Sequence, residues 1–246
     1  MANWQDPRTT SVSTAATVGV PRAARDAGLR SYMLSVYNYM ASGVLLTGII
    51  ALLFAPYAGQ VLVGPQGGLS GLGWIVMLSP LGIVFAMSFG MNRMATGTLQ
   101  MLFWAFAALM GLSMSTLFLA FTGVSIAQTF FATAAAYMGL SLYGYTTKRD
   151  LSGMGTFLIM GVVGLLVAML VNMFLQSSAM ALAISAIGVL LFAGLTAYDT
   201  QRIKSLYFQV AGTDMMGKVV IMGALQLYLD FINMFQFLLA FMGDRR

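Results

Sequence analysis

The sequence predicts an all-α membrane protein with seven transmembrane helices. Of its 246 residues, 59% are hydrophobic and only 8% are charged, whereas about a quarter of the residues are charged in a typical soluble domain. Seven apolar runs follow one another, each about 20 residues long, which is the length that the hydrocarbon core of a bilayer requires. The runs lie at 34–55, 72–90, 99–121, 126–145, 154–175, 179–198 and 219–241.

The segment before the first run differs from the rest of the chain. Residues 1–30 contain Ser, Thr, Pro and four arginines, with little apolar periodicity. Such a composition does not bury enough apolar surface to fold alone. We therefore expect a mobile basic cytoplasmic tail at 1–30, followed by a single seven-helix domain at 31–246.

The basic residues predict the orientation, because cytoplasmic loops carry an excess of Lys and Arg. With the N-terminus cytoplasmic, ten basic residues fall on the cytoplasmic side and the three opposite loops carry none. Seven crossings then place the C-terminus outside, where Arg245 and Arg246 depart from the rule. A last run that re-enters without crossing is the alternative. The ten residues are Arg8, Arg22, Arg25, Arg30, Arg93, Lys148, Arg149, Arg202, Lys204 and Lys218.

The residue types that are absent restrict the chemistry. The chain has no Cys and no His, and all seven acidic residues are Asp. Disulfides, thiol nucleophiles, Ser-His-Asp triads and HExxH metal sites are therefore excluded. We expect no cofactor. The basic residues lie beside apolar runs, so membrane anchoring explains them better than nucleic-acid binding.

Asp230 is the first candidate functional residue, because it lies near the middle of the last apolar run. A carboxylate at that depth costs about 2.5–3.5 kcal/mol on insertion scales and usually marks a functional site. Gln226 and Asn233 share its face at helical spacing. A purely structural polar anchor is the alternative.

Asp199, at the end of the sixth run, is the possible partner of Asp230. Asp230 lies about eleven residues, or about 16 Å, into its helix, so the carboxyl groups meet only if the two helices are offset. In contact they would share one proton, respond to pH and attract a hard cation such as Ca²⁺. Thr196, Tyr198 and Asn233 would add neutral oxygens. The alternative for Asp199 is a pair with Arg202, three residues later.

Arg93, at the end of the second run, is a candidate counter-charge for this pair. A guanidinium binds a carboxylate through two hydrogen bonds, so it would latch the second helix to the sixth or seventh. The alternative is that Arg93 extends to the membrane interface.

Three segments, GYTTKRDLS at 144–152, TAYDTQRIK at 196–204 and LYLDFIN at 227–233, resemble the Bax inhibitor-one (transmembrane Bax inhibitor motif) family. The resemblance runs from about residue 30 to the C-terminus. It implies a bacterial-type member, in the inner membrane, with six helices around a central seventh. It also implies a pH-regulated calcium leak through paired aspartates, here Asp199 and Asp230, with Arg93 as the arginine of the second helix.

Three functions follow from these patterns. The leading one is a pH-sensitive calcium leak in the lipid bilayer, with Ca²⁺ and protons as its ligands. The second is a non-transporting regulator that binds a membrane-anchored protease, as one bacterial member does, or a cell-death partner. An intramembrane aspartyl protease is the third: Tyr198-Asp199 fits one of its motifs, but 227–230 lacks Gly-x-Gly-Asp and no Pro-Ala-Leu segment occurs. We therefore predict no enzymatic activity.

Overall fold

The computed structural model describes residues 22–65 and 68–246. This part of the chain confirms the all-α membrane fold, and six of its helices are long and apolar enough to cross a membrane. In chain order the helices are α1 (Arg22–Val61), α2 (Gly71–Gly90), α3 (Thr96–Met114), α4 (Leu117–Ala120), α5 (Gly123–Thr146), α6 (Ser152–Leu175), α7 (Ser178–Val210) and α8 (Met215–Met242).

The third predicted run, 99–121, is divided into α3 and the four-residue α4. At the break, the hydroxyl groups of Ser115 and Thr116 donate hydrogen bonds of 2.6 and 2.8 Å to the carbonyls of Leu112 and Ser113. Such short-range side-chain bonds compete with the regular helix ladder and bend it. The sequence pattern missed this break because Ser113, Ser115 and Thr116 are too few polar residues to end a run that is otherwise mostly apolar.

The fourth predicted run, 126–145, corresponds to α5, which has 24 residues but is not among the six helices identified as long and apolar enough to cross a membrane. Five of its polar side chains form a row with a spacing of four residues, which we call the α5 polar row. Because α5 packs against α7 and α8, this row faces protein and not lipid. The α5 polar row consists of Ser125, Thr129, Thr133, Tyr137 and Ser141, all buried.

The start of α1 corrects the predicted tail, because residues 22–30 are helical. This segment is rich in Ala and Arg, which are strong helix formers, and it packs on α7, where Gly28 lies against the side chain of Tyr207. Residues 1–21 lie outside the described part. At 40 and 33 residues, α1 and α7 are about 60 and 50 Å long, so both continue past a hydrocarbon core of about 30 Å.

The last helix is the centre of the bundle and the most buried of the six apolar helices. It packs against α1, α3, α5 and α7, while α2 packs mainly on α3 and α6 on α7. A buried hydrogen-bonded group joins three of these helices: Tyr228 donates to Thr47 (2.7 Å), which donates to the carbonyl of Ala107 (2.8 Å). The predicted central helix is therefore α8, with four helices directly around it and two outside them.

The C-terminus lies at the opposite end of the bundle from the start of α1. α8 is continuous over 28 residues, about 42 Å, and its end meets the connection between α4 and α5. There the backbone N–H of Arg246 donates to Ala120 (3.0 Å), and the Arg245 guanidinium lies 5.9 Å from the ring centre of Phe121. The last run therefore spans the bundle, and its two arginines are held by contacts with this connection.

A buried aspartate pair as the candidate functional site

Asp199 of α7 and Asp230 of α8 lie side by side in the interior of the bundle. They are only 3% and 4% exposed, and their carboxyl groups are in hydrogen-bonding contact. The offset that contact requires arises because α7 continues eleven residues, about 16 Å, beyond Asp199, and α8 begins fifteen residues, about 22 Å, before Asp230. The two carboxylates therefore occupy one level of the bundle.

The groups around the pair are unevenly distributed. Gln226, one turn before Asp230 on α8, lies beside Asp199, and Arg202 acts on Asp199 through its charge. Within the described part of the chain, Oδ2 of Asp230 is buried and has no hydrogen-bond partner. Asp230 thus depends on its neighbour for a proton or on a bound cation for compensation.

Two buried carboxylates in contact have a limited set of states. Both cannot be ionised without strong repulsion, so one proton is held between them when no cation is present. Loss of that proton creates a doubly negative site whose oxygens favour hard cations. Among the described residues, no cluster of three or more acidic, His or Cys side chains exists.

Three of the predicted supporting residues do not join the pair. Thr196 is buried, and its hydroxyl donates to the carbonyl of Phe192 in its own helix (2.8 Å). Asn233 likewise donates to Leu229 (2.8 Å). Tyr198 packs its ring against Gly155 of α6, because the residue before Asp199 faces the other side of α7.

Arg93 is not next to the aspartates in this structure. It is exposed in the turn that follows α2, and α2 packs mainly on α3, outside the four helices that surround α8. The cation that acts on Asp199 is Arg202. The predicted latch between the second helix and the pair is therefore not formed, because α3 and not α2 borders the central helix.

The structure adds residues that sequence reasoning missed. Tyr137 of the α5 polar row lies within electrostatic range of both aspartates, and its hydroxyl donates to the carbonyl of Leu227 (3.3 Å). Next along the row, the hydroxyl of Ser141 is hydrogen-bonded to the hydroxyls of Tyr37 of α1 (2.6 Å) and Thr200 of α7 (3.0 Å). The four-residue spacing of polar side chains in α5 is the signal that would have indicated this face.

Two of the three segments that carry the family resemblance, 144–152 and 196–204, contact each other directly. Gln201 donates to the carbonyl of Arg149 (2.7 Å) and accepts from the N–H of Leu151 (2.8 Å). Lys204 donates to the carbonyl of Tyr145 (2.7 Å). These bonds tie the connection between α5 and α6 to the part of α7 that carries Asp199, so the segments form one structural unit.

The fold and the site define a multi-pass, all-α membrane protein with a buried aspartate pair on its two most closely packed helices. Residues 29–246 match the Bax1-I family, described as "Inhibitor of apoptosis-promoting Bax1". The chain belongs to this family.

Relatives of this chain occur in several bacteria. An uncharacterized protein of Rickettsia prowazekii is 50% identical over 225 residues, which is 90% of this chain and 92% of the relative. One from Caulobacter vibrioides is 46% identical over 228 residues, covering 90% and 91%. The inner membrane protein YbhL of Escherichia coli is 44% identical over 224 residues, covering 89% and 94%. The similarity therefore extends over nearly the whole domain.

Proposed function

We propose that this protein is a pH-sensitive cation leak, with Ca²⁺ as its ion, and that Asp199 and Asp230 are its proton and cation sensor. The observation that carries the proposal is the contact between two carboxyl groups that are 3% and 4% exposed in the interior of a membrane bundle. Intramembrane carboxylates of this kind mark ion pathways and proton relays.

The proposed switch is a change in the force between α7 and α8. With one shared proton, the pair forms a hydrogen bond that holds the two helices together, and Gln226 orients Asp199. After the proton leaves, two negative charges repel across the interface until a cation binds between them. Proton and Ca²⁺ therefore compete for one site, and the competition sets the gating.

The α5 polar row provides the proposed path to the pair. A dehydrated cation needs oxygen ligands in place of water, and the row offers hydroxyl oxygens at one-turn intervals along α5. Tyr137 lies beside the aspartates, and Ser125 lies near the C-terminus, where it accepts from the N–H of Asp244 (2.9 Å). The row thus runs from the level of the pair to the C-terminal end of the bundle.

The proposed location is a bacterial inner membrane with the N-terminus cytoplasmic. The E. coli relative is an inner membrane protein. In the predicted topology, ten of the 12 basic residues lie on the same side of the membrane as the N-terminus, as expected for cytoplasmic segments.

The test is calcium flux into liposomes that contain the purified protein, measured at pH 6 and pH 8. Wild type should show a pH-dependent flux, and Asp199→Asn or Asp230→Asn should remove the dependence. Asp150→Asn is the matched control, because Asp150 is exposed in the connection between α5 and α6. Unchanged pH profiles in both site variants would rule out the sensor.

Two further assays distinguish the other two functions from the cation leak. A purified protein that carries no flux, yet retains a membrane-anchored protease in a pull-down, would support the non-transporting regulator. We propose no enzymatic role, since 227–230 has Leu, Tyr and Leu before Asp230 where the aspartyl protease motif has glycines. Cleavage of a transmembrane peptide that an aspartyl transition-state analogue blocks would contradict this.

A further inference from the structure

A lateral groove lies between α1 and α5, separate from the aspartate pair. Both helices pack against α7 and α8, and the space left between them has a volume of about 760 Å³. Most of its lining is aliphatic or aromatic, and Phe231 of α8 forms part of the floor. The hydroxyls of Tyr37 and Ser141 in the lining are bonded to each other, so the groove offers few free polar groups along its length.

One end of the groove is polar and cationic. Arg30 lines that end and is exposed. Tyr145 lies at the same end, and Lys204, outside the lining, adds a second cation nearby: its ammonium group donates to the carbonyl of Tyr145 and lies 5.0 Å from the centre of the Tyr145 ring. Tyr at the end of an apolar surface, beside basic residues, is typical of the headgroup level of a membrane.

The length of the groove matches one leaflet. From Arg30 to Leu45 on α1, and from Tyr145 back to Phe130 on α5, the lining covers fifteen residues, or about 22 Å. Half of a hydrocarbon core is about 15 Å, and the headgroup region adds about 6 Å on each side. The groove therefore extends from headgroup level to the middle of the bilayer.

An acyl chain suits this groove, because the lining is mostly apolar over the length of one leaflet and the volume is about 760 Å³.

We propose that this groove binds one anionic phospholipid, with its phosphate at Arg30 and an acyl chain between α1 and α5. An anionic headgroup is expected because Arg30 and Lys204 lie at one end of the groove. An acyl chain is expected because the lining is apolar and as long as one leaflet. The lipid site does not require Asp199 or Asp230, although Tyr137 and Ser141 of the α5 polar row also line the groove.

The test is native mass spectrometry of the purified full chain, with phosphatidylglycerol or phosphatidylcholine of identical acyl chains added. Wild type should retain one phosphatidylglycerol in preference to phosphatidylcholine. Arg30→Gln should lower that preference about fivefold, the effect of one basic residue near an anionic membrane surface. Arg149→Gln, an exposed residue that does not line the groove, should leave it unchanged.

A second pair of variants tests the acyl chain. Ala134 lines the groove, whereas Ala135 is exposed and does not. Ala134→Phe should abolish retention of both lipids, and Ala135→Phe should retain them. Thermal unfolding in detergent shows whether each variant is folded. If Arg30→Gln does not fold, the comparison of Ala134→Phe with Ala135→Phe still tests whether a lipid occupies the groove. Equal retention of the two lipids by wild type, retention unaffected by Ala134→Phe, or a free fatty acid as the retained molecule would overturn the proposal.

Discussion

The stability of this protein should depend on pH through the aspartate pair, and a single isosteric change should remove the dependence. Asp230→Asn keeps the size and shape of the side chain while it eliminates one of the two charges. The amide also donates to Asp199 without a shared proton. The variant therefore reproduces the protonated pair at every pH.

The magnitude follows from the contact between the two carboxyl groups. Two like charges at about 4 Å repel by about 4 kcal/mol at an effective dielectric constant of 20. The folded wild type holds a proton that the separated carboxylates of the unfolded chain do not need, so its stability falls as rising pH removes that proton. For a chain of this size, 1 kcal/mol corresponds to about 2–4 °C in melting temperature. The wild-type melting temperature should therefore fall by up to about 8–16 °C.

The assay is thermal unfolding of the detergent-solubilised protein at half-unit steps from pH 5 to pH 9. Asp230→Asn and Asp199→Asn should each show a nearly flat curve that lies above wild type at the alkaline end. Asp150→Asn should follow wild type, because Asp150 is exposed. The double variant should resemble the single ones, since one removed charge already abolishes the repulsion.

Two results would refute this reasoning. A wild-type curve that is flat across the range would mean that the pair does not exchange a proton there. Parallel curves for wild type and Asp230→Asn, with the variant lower throughout, would show that the carboxylate acts only as a buried hydrogen-bonding group. Added Ca²⁺ should raise the wild-type curve at alkaline pH and leave both single variants unmoved.

Three further changes test the fold around the site. Gly144→Ala would place its methyl group against the backbone of α7 and should cost about 1–3 kcal/mol, whereas Gly139→Ala has open space and should not lower the melting temperature, because Ala favours a helix more than Gly does. Tyr228→Phe removes the bond to Thr47 and should cost about 1 kcal/mol in the same assay. Gln201→Ala frees the connection between α5 and α6, so limited trypsin digestion there should be faster than in wild type.

Much of the fold was predictable because the bilayer imposes its own length on each helix. Runs of about 20 apolar residues can satisfy their backbone in lipid only as helices, so 154–175 and 219–241 were recognised as membrane helices from composition alone. The less apolar α5 was still recognised from its length. The helices that α5 packs against were not predicted, because the sequence does not show which helices pack their polar faces against one another.

The sequence by itself determined the class of protein, the number of long helices and the two aspartates, because a charge in an apolar run is conspicuous in any arrangement. Only the tertiary structure decided which charges meet. The extension of α7 to Val210 brings Asp199 to the level of Asp230, and α3 takes the place beside α8 that Arg93 would have needed. Depth and neighbour order depend on how helices pack across the bundle, and no local pattern in the chain records that.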